Sequence, residues 1–354
     1  SIGMIVGWLV LCSGVVSLAT VAHAFSGYLH DILPGIPKPL LLSGFLCVVA
    51  GISFRGMRES SAANIAFTLV EGTGLIFVIV VALSFLAGDF RPAAEVQSVI
   101  DPGAERSMTG ILHGAAIAFF AFVGFEDMVN VAEEVKEPGR HYPIAIVTAL
   151  VVAGGLYITV CFVATAVVPV QELAGSTTPL LDVVRRAAPW SPGWGFTLVA
   201  LFAVANTGLL NLIMASRLLY GMSDQQLLPR WFGAVHESRQ TPHHAIIAVF
   251  AAALLLTLSG SLQRLAETTS AVLLCVFVTV NVSLIAIRLR ESDVPKGFHV
   301  PLVVPVVGAV SCLGLIAFVE LQSIFWALGL LAVGIVAVMI RWLFERRAAT
   351  ISCR

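Results

Sequence analysis

Charged residues are scarce in this chain of 354 residues: Asp, Glu, Lys and Arg make up 12% of it, whereas hydrophobic residues make up 58%. Soluble domains carry about 25% charged residues, and a mean hydropathy of +0.96 is far above what a soluble core and surface need. The composition therefore excludes an ordinary soluble fold and predicts a membrane protein. The formal net charge of −1 provides no concentrated basic face, so we expect no nucleic-acid partner.

Patterns that hold metals or form disulfides are also missing. Five of the six cysteines lie inside apolar runs and the sixth, Cys353, lies in the C-terminal tail, so we expect neither a disulfide framework nor a CxxC metal site. The loop at residues 236–244 contains three histidines, but it lacks the HExxH spacing of a zinc site. The sequence also lacks a recognisable catalytic pattern of a nucleophile, a base and a residue that orients the base. We therefore expect no metal, no cofactor and no enzyme.

Ten apolar runs are what the sequence does contain. Most are long enough to cross a hydrocarbon core of about 30 Å at about 1.5 Å per residue, although the second and the seventh are short. The predicted segments are residues 2–25, 39–54, 67–87, 109–135, 143–168, 195–220, 244–260, 269–287, 301–319 and 323–344. The sequence thus predicts an all-α membrane protein of about ten transmembrane helices in a lipid bilayer.

Lysine and arginine are distributed unequally between the loops. Fourteen lie in one set of alternate loops and the C-terminal tail, and six lie in the opposite set. Because cytoplasmic loops retain positive charge, we expect both termini of this chain to be cytoplasmic. The first segment then runs outward and the fourth runs inward.

The fourth segment is interrupted in the run FFAFVGFEDMVNVAEEVKEPGRHYP, which starts at Phe119. Hydrocarbon tolerates unpaired backbone and carboxylates only where they line a cavity or are buried in protein. The pattern therefore predicts two half-helices, 109–121 and 126–135, joined at a break that contains Gly124. The unpaired carbonyl and N–H groups at such a break suit a zwitterionic substrate. The alternative is an unbroken helix that tolerates a glycine.

Several polar residues in the apolar segments have two interpretations. Glu126 and Asp127 can either cap the inner half-helix or contact a substrate amine. Glu71 lies about 10 Å into the third segment, where it can take up a proton, pair with a cation or make a structural hydrogen bond to a neighbouring helix. We expect His113 to form a hydrogen bond between helices. Three asparagines are expected to do the same: Asn206, Asn211 and Asn281.

A charged run follows the fourth segment at its cytoplasmic end. Glu133, Glu134 and Arg140 lie in this run. They form either a solvated face or a latch that closes a cytoplasmic gate, and we favour the latch.

These motifs resemble the amino acid, polyamine and organocation (APC) transporter superfamily, in particular its bacterial amino acid permeases. The most distinctive stretch is FFAFVGFE followed by AEEVKEPGRHYP, which is similar to the sixth helix of that family. Further stretches that resemble it are GWLVLCSGVVSLATVAHAFSGYL, FRGMRESSAANIAFTLVE, ASRLLYGMSDQQLLPRWFGAVH with TPHHAII, and VPKGFHVPLVVPVVG. The resemblance covers most of the chain.

The resemblance implies a LeuT-type five-plus-five inverted repeat followed by two extra helices. Residues 1–354 would then form one transporter domain, with the remainder of the repeat core at 1–288, the extra helices at 301–344 and a cytoplasmic tail at 345–354. The fourth segment aligns with the sixth helix of the family, so we expect the family's first two helices to be absent from this N-terminally truncated chain. Half of the substrate site would be absent with them, and this chain alone would not transport.

The resemblance also implies roles for individual residues. Three backbone carbonyls would bind the amino group of the substrate: those of Phe120, Ala121 and Val123. Three phenylalanines would shape or gate the cavity: Phe119, Phe122 and Phe125. Glu71 stands where many proton-coupled relatives have a lysine, which argues against coupling through a lysine, although a carboxylate can also carry a proton.

We therefore expect a secondary active transporter for amino acids or related amines in the inner membrane of a bacterial cell. It would work by alternating access, either coupled to protons or as an exchanger, without a cofactor. The alternative is a non-transporting sensor or partner subunit that keeps the transporter fold.

Overall fold

The computed structural model describes residues 2–56, 61–88, 107–126, 136–290 and 300–352, and these residues form helices and connecting turns without a β-strand. The α-helices are α1 (Ile2–Ile32), α2 (Lys38–Arg55), α3 (Ser61–Gly88), α4 (Met108–Ala118), α5 (Pro138–Val167), α6 (Val170–Gly175), α7 (Pro179–Ala187), α8 (Gly193–Asp224), α9 (His243–Ser259), α10 (Leu262–Arg290), α11 (Val303–Ile316) and α12 (Leu321–Ser352). Nine of the ten predicted segments overlap one α-helix each. The fourth, 109–135, overlaps α4 in its first part, and its residues 127–135 lie outside the described ranges.

Six helices in the described part of the chain are long and apolar enough to cross a membrane: α1, α2, α3, α5, α8 and α10. Helices α4 and α9 are apolar but shorter, and α11 and α12 form a pair bent by 116° at residues 317–320. Helix α11 has 14 residues and is therefore only about 21 Å long. The prediction of a multi-pass helical membrane protein is confirmed, and the number of ten crossings stays a prediction.

The predicted boundaries differ from the structure where polar residues lie inside a helix. Helix α10 begins at Leu262 rather than at residue 269. Its first turn is exposed, and its side chains are buried from Leu265 onward although several of them are polar. Helix α5 begins at Pro138, five residues before the predicted start of the fifth segment, and it contains Pro143 as an internal residue. Pro138 lies in the first turn, where a missing N–H costs nothing, and Pro143 lies in the second turn.

Helix α1 is the central element of the bundle. It packs against α2, α8, α9, α10 and α12. Its Leu18 belongs to a core cluster with Leu46, Leu212 and Ile246, and each of these side chains is at most 3% exposed. Glycines permit this close packing: a Cβ atom at Gly208 of α8 would lie 2.7 Å from Cζ of Phe45. The helices that flank the interrupted segment are therefore held by a dense core.

A second core joins the helices on the other side of the bundle. Val78 of α3, Val163 of α5, and Leu181 and Val184 of α7 are all fully buried in it. Helix α5 is otherwise largely exposed on its outer face, with side chains such as Val151 at 69% and Ile158 at 74% exposure. Large exposed apolar side chains on a helix of this length are typical of contact with lipid.

Candidate functional site

The interruption predicted in the fourth segment is present. Helix α4 ends at Ala118 and continues as a 3₁₀ turn at Phe119–Phe122. Gly124 follows with a φ of +115°, a value that glycine adopts readily and other residues avoid. The alternative of an unbroken helix is therefore wrong. The predicted inner half-helix and Asp127 lie at residues 127–135, outside the described residues.

Glu126 closes the turn from its C-terminal side. The backbone N–H of Gly124 donates a hydrogen bond to Oε2 of Glu126, with an N to O distance of 2.8 Å. The carboxylate thus satisfies a backbone donor that the interruption leaves without a helical partner. This contact lies before the predicted inner half-helix, so the capping interpretation and the substrate-contact interpretation of Glu126 both stay predictions. The side chain also lines a small cavity described below.

Two of the three carbonyls expected to bind a substrate amine already accept hydrogen bonds. The Phe120 carbonyl accepts one from the Val123 N–H at 3.1 Å. The Ala121 carbonyl accepts one from the hydroxyl of Tyr157 in α5 at 2.8 Å. A carbonyl oxygen has two lone pairs, so both retain capacity for a second donor. Tyr157 was missed by the sequence analysis, since a tyrosine in an apolar run has no distinguishing pattern.

The three phenylalanines of the interruption pack against aromatic residues of other helices. Phe277 of α10 contacts the rings of both Phe119 and Phe125, with centroid distances of 5.9 and 5.5 Å. Phe122 packs edge-on against Tyr157 at 5.2 Å. The expected gating role of these phenylalanines stays a prediction, and the structure adds Phe277 as their common neighbour on α10.

A small cavity lies between the interruption, α1 and α8. Its volume is about 30 Å³, which is the size of a water molecule. Its polar lining includes Glu126, Ser13 and Asn211, and the amide of Asn211 also donates to the hydroxyl of Ser17 at 2.9 Å. The predicted role of Asn211 as a link between helices is confirmed. The cavity is too small for an amino acid in this conformation.

A larger cavity of about 430 Å³ lies elsewhere, between α1, α2, α3 and α8. Its lining is apolar apart from Asn206, and it contains none of the residues of the interruption. A zwitterion needs polar partners for both of its charges, so the smaller polar cavity is the better candidate for a substrate site. We regard the larger cavity as apolar space near Glu71.

Glu71 is half-buried on α3. It accepts a hydrogen bond from Nδ2 of Asn206 in α8, at 2.8 Å from Oε1. The structural interpretation of Glu71 as a hydrogen-bond partner between helices therefore holds, and so does the prediction for Asn206. Asn281 differs, because its amide donates to the Phe277 carbonyl of its own helix; it contacts α11 at Gly308 instead.

His113 connects α4 to the C-terminal helices. Its Nδ1 lies 2.8 Å from the Phe318 carbonyl in the α11–α12 joint, which confirms the prediction of an interhelical histidine. Its Nε2 lies 3.9 Å from Oε1 of Glu267. Glu267 is 1% exposed and was missed by the sequence analysis.

The residues proposed as a cytoplasmic latch are only partly described. Arg140 is exposed in the first turn of α5, and its N–H donates to the Glu137 carbonyl at 3.0 Å. Glu133 and Glu134 lie outside the described residues, so the latch stays a prediction. Within the described ranges, no group of three or more His, Cys, Asp or Glu side chains is arranged to hold a metal ion.

An interrupted apolar helix with polar groups at the break, set in a bundle of long apolar helices, is typical of a membrane transporter. The sequence matches the family described as "Amino acid permease" over residues 1–344. The chain belongs to this family, which confirms the resemblance stated above. The family and the relatives below are transporters, so this protein is a membrane transporter and not an enzyme.

Curated relatives agree with the family. A methylthioribose transporter of Bacillus subtilis (strain 168) is 26% identical over 88% of this chain and 70% of its own length. The branched-chain amino acid permease BcaP of the same organism is 26% identical over 97% of this chain and 76% of its own length. Cationic amino acid transporter 4 of Mus musculus is 31% identical over 82% of this chain and 48% of its own length.

Proposed function

We propose that this protein moves amino acids or related amines across the cytoplasmic membrane by alternating access around the interruption at residues 119–126. The observation that carries the proposal is the positive φ of Gly124 inside an apolar segment, with Glu126 closing the turn. The carbonyls of such a turn keep lone pairs that can bind the ammonium group of a substrate within the membrane.

The substrate class rests on the relatives and on this chemistry together. Two of the three relatives named above carry amino acids by name, whereas the third carries methylthioribose. A methylthioribose has no ammonium group, and it would leave the carbonyls of the interruption without a cationic partner. The polar groups at residues 119–126 therefore favour an amino acid or amine.

We further propose that Glu71 carries the coupling proton, if coupling is to protons. It is half-buried and its described hydrogen bond comes from a neutral amide, that of Asn206. A carboxylate in an apolar segment with a neutral partner is relieved of its desolvation cost by binding a proton. In this proposal both chain termini are cytoplasmic, and Arg140 acts with Glu133 and Glu134 at the inner gate.

Substitution of Gly124 tests the proposal. The Cβ of a residue at this position would meet no atom of the described residues within 4 Å, and the φ of +115° is itself unfavourable for any residue other than glycine. Gly124→Val in the full-length protein should abolish uptake of labelled amino acids into proteoliposomes while membrane expression is maintained, because valine strongly disfavours positive φ.

Gly114→Val is the matched control for this experiment. Gly114 lies on α4, ten residues before Gly124, and a Cβ there also meets no atom within 4 Å, but its φ is not positive. Its uptake should stay close to that of the wild type. Equal uptake by the two variants and the wild type would contradict the proposal that the interruption is the transport site.

The same uptake assay distinguishes a transporter from a sensor or partner subunit that keeps the transporter fold. Saturable uptake by the wild-type protein supports a transporter. Amino acid binding, detected as thermal stabilisation, without uptake under any gradient would instead support the sensor.

A further inference from the structure

We propose that Tyr157 is a positioning residue of the substrate site, and that it keeps the backbone of the interruption open for a protonated amine. The inference rests on the proposed function. Its basis is the set of hydrogen bonds that the backbone groups on either side of the interruption make.

In a continuous 3₁₀ turn, the carbonyl of Ala121 would accept a hydrogen bond from the N–H of Gly124, three residues later. This pair is not made. The Gly124 N–H donates to the Glu126 carboxylate at 2.8 Å, and the Ala121 carbonyl accepts from the Tyr157 hydroxyl at 2.8 Å. Two side chains have thus replaced one backbone hydrogen bond, one on each side of the opening.

Tyr157 is fixed in place by a second contact with the same turn. Its ring lies edge-on to the ring of Phe122 at 5.2 Å and 77°. Gly154, three residues earlier on α5, lies under the Phe122 ring, since a Cβ at this position would be 3.8 Å from its Cζ. Helix α5 therefore contacts two successive residues of the interruption, Ala121 and Phe122.

The consequence concerns the direction of the Ala121 carbonyl. The hydroxyl occupies one lone pair of the oxygen and leaves the other available to a further donor. Without this hydroxyl, the Ala121 carbonyl can turn back to the Gly124 N–H, because a backbone group without water in the apolar part of a membrane seeks a partner within the protein. That pairing would withdraw the Ala121 carbonyl from the substrate. Tyr157 thus acts on the affinity for an ammonium group through the backbone.

The test uses Tyr157→Phe in the full-length protein, because phenylalanine keeps the ring contact with Phe122 and removes the hydroxyl alone. We expect KM for an amino acid to rise by about three- to tenfold, as for the loss of one hydrogen bond, with little change in the maximal rate. Tyr142→Phe is the matched control on the same helix, since its buried hydroxyl has no hydrogen-bond partner among the described residues. Its KM should not change.

A double-substitution cycle with Glu126→Met, which removes the acceptor of the Gly124 N–H, distinguishes positioning from general stability. Glu126 and Tyr157 hold the two halves of one opened backbone pair, so their effects on KM should be less than additive. Additive effects, or an unchanged KM in Tyr157→Phe beside an active wild type, would overturn this inference and leave the proposed function intact. If the wild type shows neither saturable uptake nor thermal stabilisation by amino acids, the proposed function fails and the inference fails with it.

Discussion

Two carboxylates of this bundle lie in different surroundings. Glu71 on α3 is half-buried and accepts a hydrogen bond from Asn206 at 2.8 Å. Glu267 on α10 is 1% exposed. It accepts hydrogen bonds from Gln263 at 3.0 Å and from Ser323 at 3.3 Å, and it lies 3.9 Å from His113. The partner of the first carboxylate, Asn206, lines an apolar cavity, whereas the second carboxylate joins α4, α10 and α12.

The difference separates two roles that an acid can have inside a membrane protein. A carboxylate enclosed by several donors is fixed, because any movement leaves those donors unsatisfied. A carboxylate with one neutral partner and partial access to its surroundings can gain and lose a proton at lower cost. The comparison therefore favours Glu267 as an anchor between α4, α10 and α12, and Glu71 as the group that carries a proton.

Removal of the anchor should have the largest effect on stability. Glu267→Ala removes the acceptor of the hydrogen bonds from Gln263 and Ser323 and empties a site that is 1% exposed. We expect it to cost about 3 kcal/mol of the free energy of unfolding. Thermal unfolding in detergent micelles measures the change. The control is Glu172→Ala, which removes a 56% exposed partner of Arg186 and should cost less than about 1 kcal/mol. Equal losses in the two variants would remove the distinction between an anchor and a surface acid.

Neutralisation of the other carboxylate should affect transport rather than stability. If Glu71 carries the proton, the uptake rate of Glu71→Gln should vary by less than about twofold over about two pH units, because the titrating group is gone. KM for the amino acid should change little. Glu267→Gln, measured in the same proteoliposomes, should keep the pH dependence of the wild type. A steep, unchanged profile in Glu71→Gln would assign Glu71 to structure.

The smallest effect is expected for the neutral partner of Glu71. Asn206→Leu keeps the approximate volume of the side chain and removes its hydrogen bond to the carboxylate. We expect a loss of about 0.5–1.5 kcal/mol, below that of Glu267→Ala, because leucine also adds apolar contact with the cavity that Asn206 lines. The unfolding midpoint measures it. A loss of unfolding free energy as large as that of Glu267→Ala would show that the hydrogen-bonded pair of Glu71 and Asn206 is also an anchor between helices.

The positions of the helices were predictable from the sequence, because apolar runs of fixed length are required to cross a bilayer. The interruption was predictable for a similar reason: Gly124 next to Glu126 is an unfavourable combination inside hydrocarbon unless it has a function. The surroundings of Glu267 were not predictable. Its neighbours Gln263 and Arg264 give the start of α10 the composition of a loop, and only tertiary packing buries it.

The partners of the interruption were not predictable either. Tyr157 and Phe277 lie in apolar runs, where an aromatic side chain facing lipid and one facing the protein have the same sequence pattern. Their assignment needs the relative rotation of α5 and α10, which is a property of helix packing rather than of either helix alone. The hydrogen bond from the Tyr157 hydroxyl to the Ala121 carbonyl had no sequence signal either, and the substrate-binding roles of the carbonyls stay predictions.

The φ of +115° at Gly124 has a consequence for the handedness of the residue at this position. An L-residue avoids this φ, whereas a D-residue prefers it, because the two have mirror-image backbone preferences. A Cβ of the L configuration at Gly124 would meet no atom of the described residues within 4 Å, so the φ alone makes the turn unfavourable for L-alanine. D-alanine introduced there by protein semisynthesis should preserve the turn, while L-alanine should strain it. The interruption in this all-L chain is therefore a place where the chirality of one residue decides whether the turn can form.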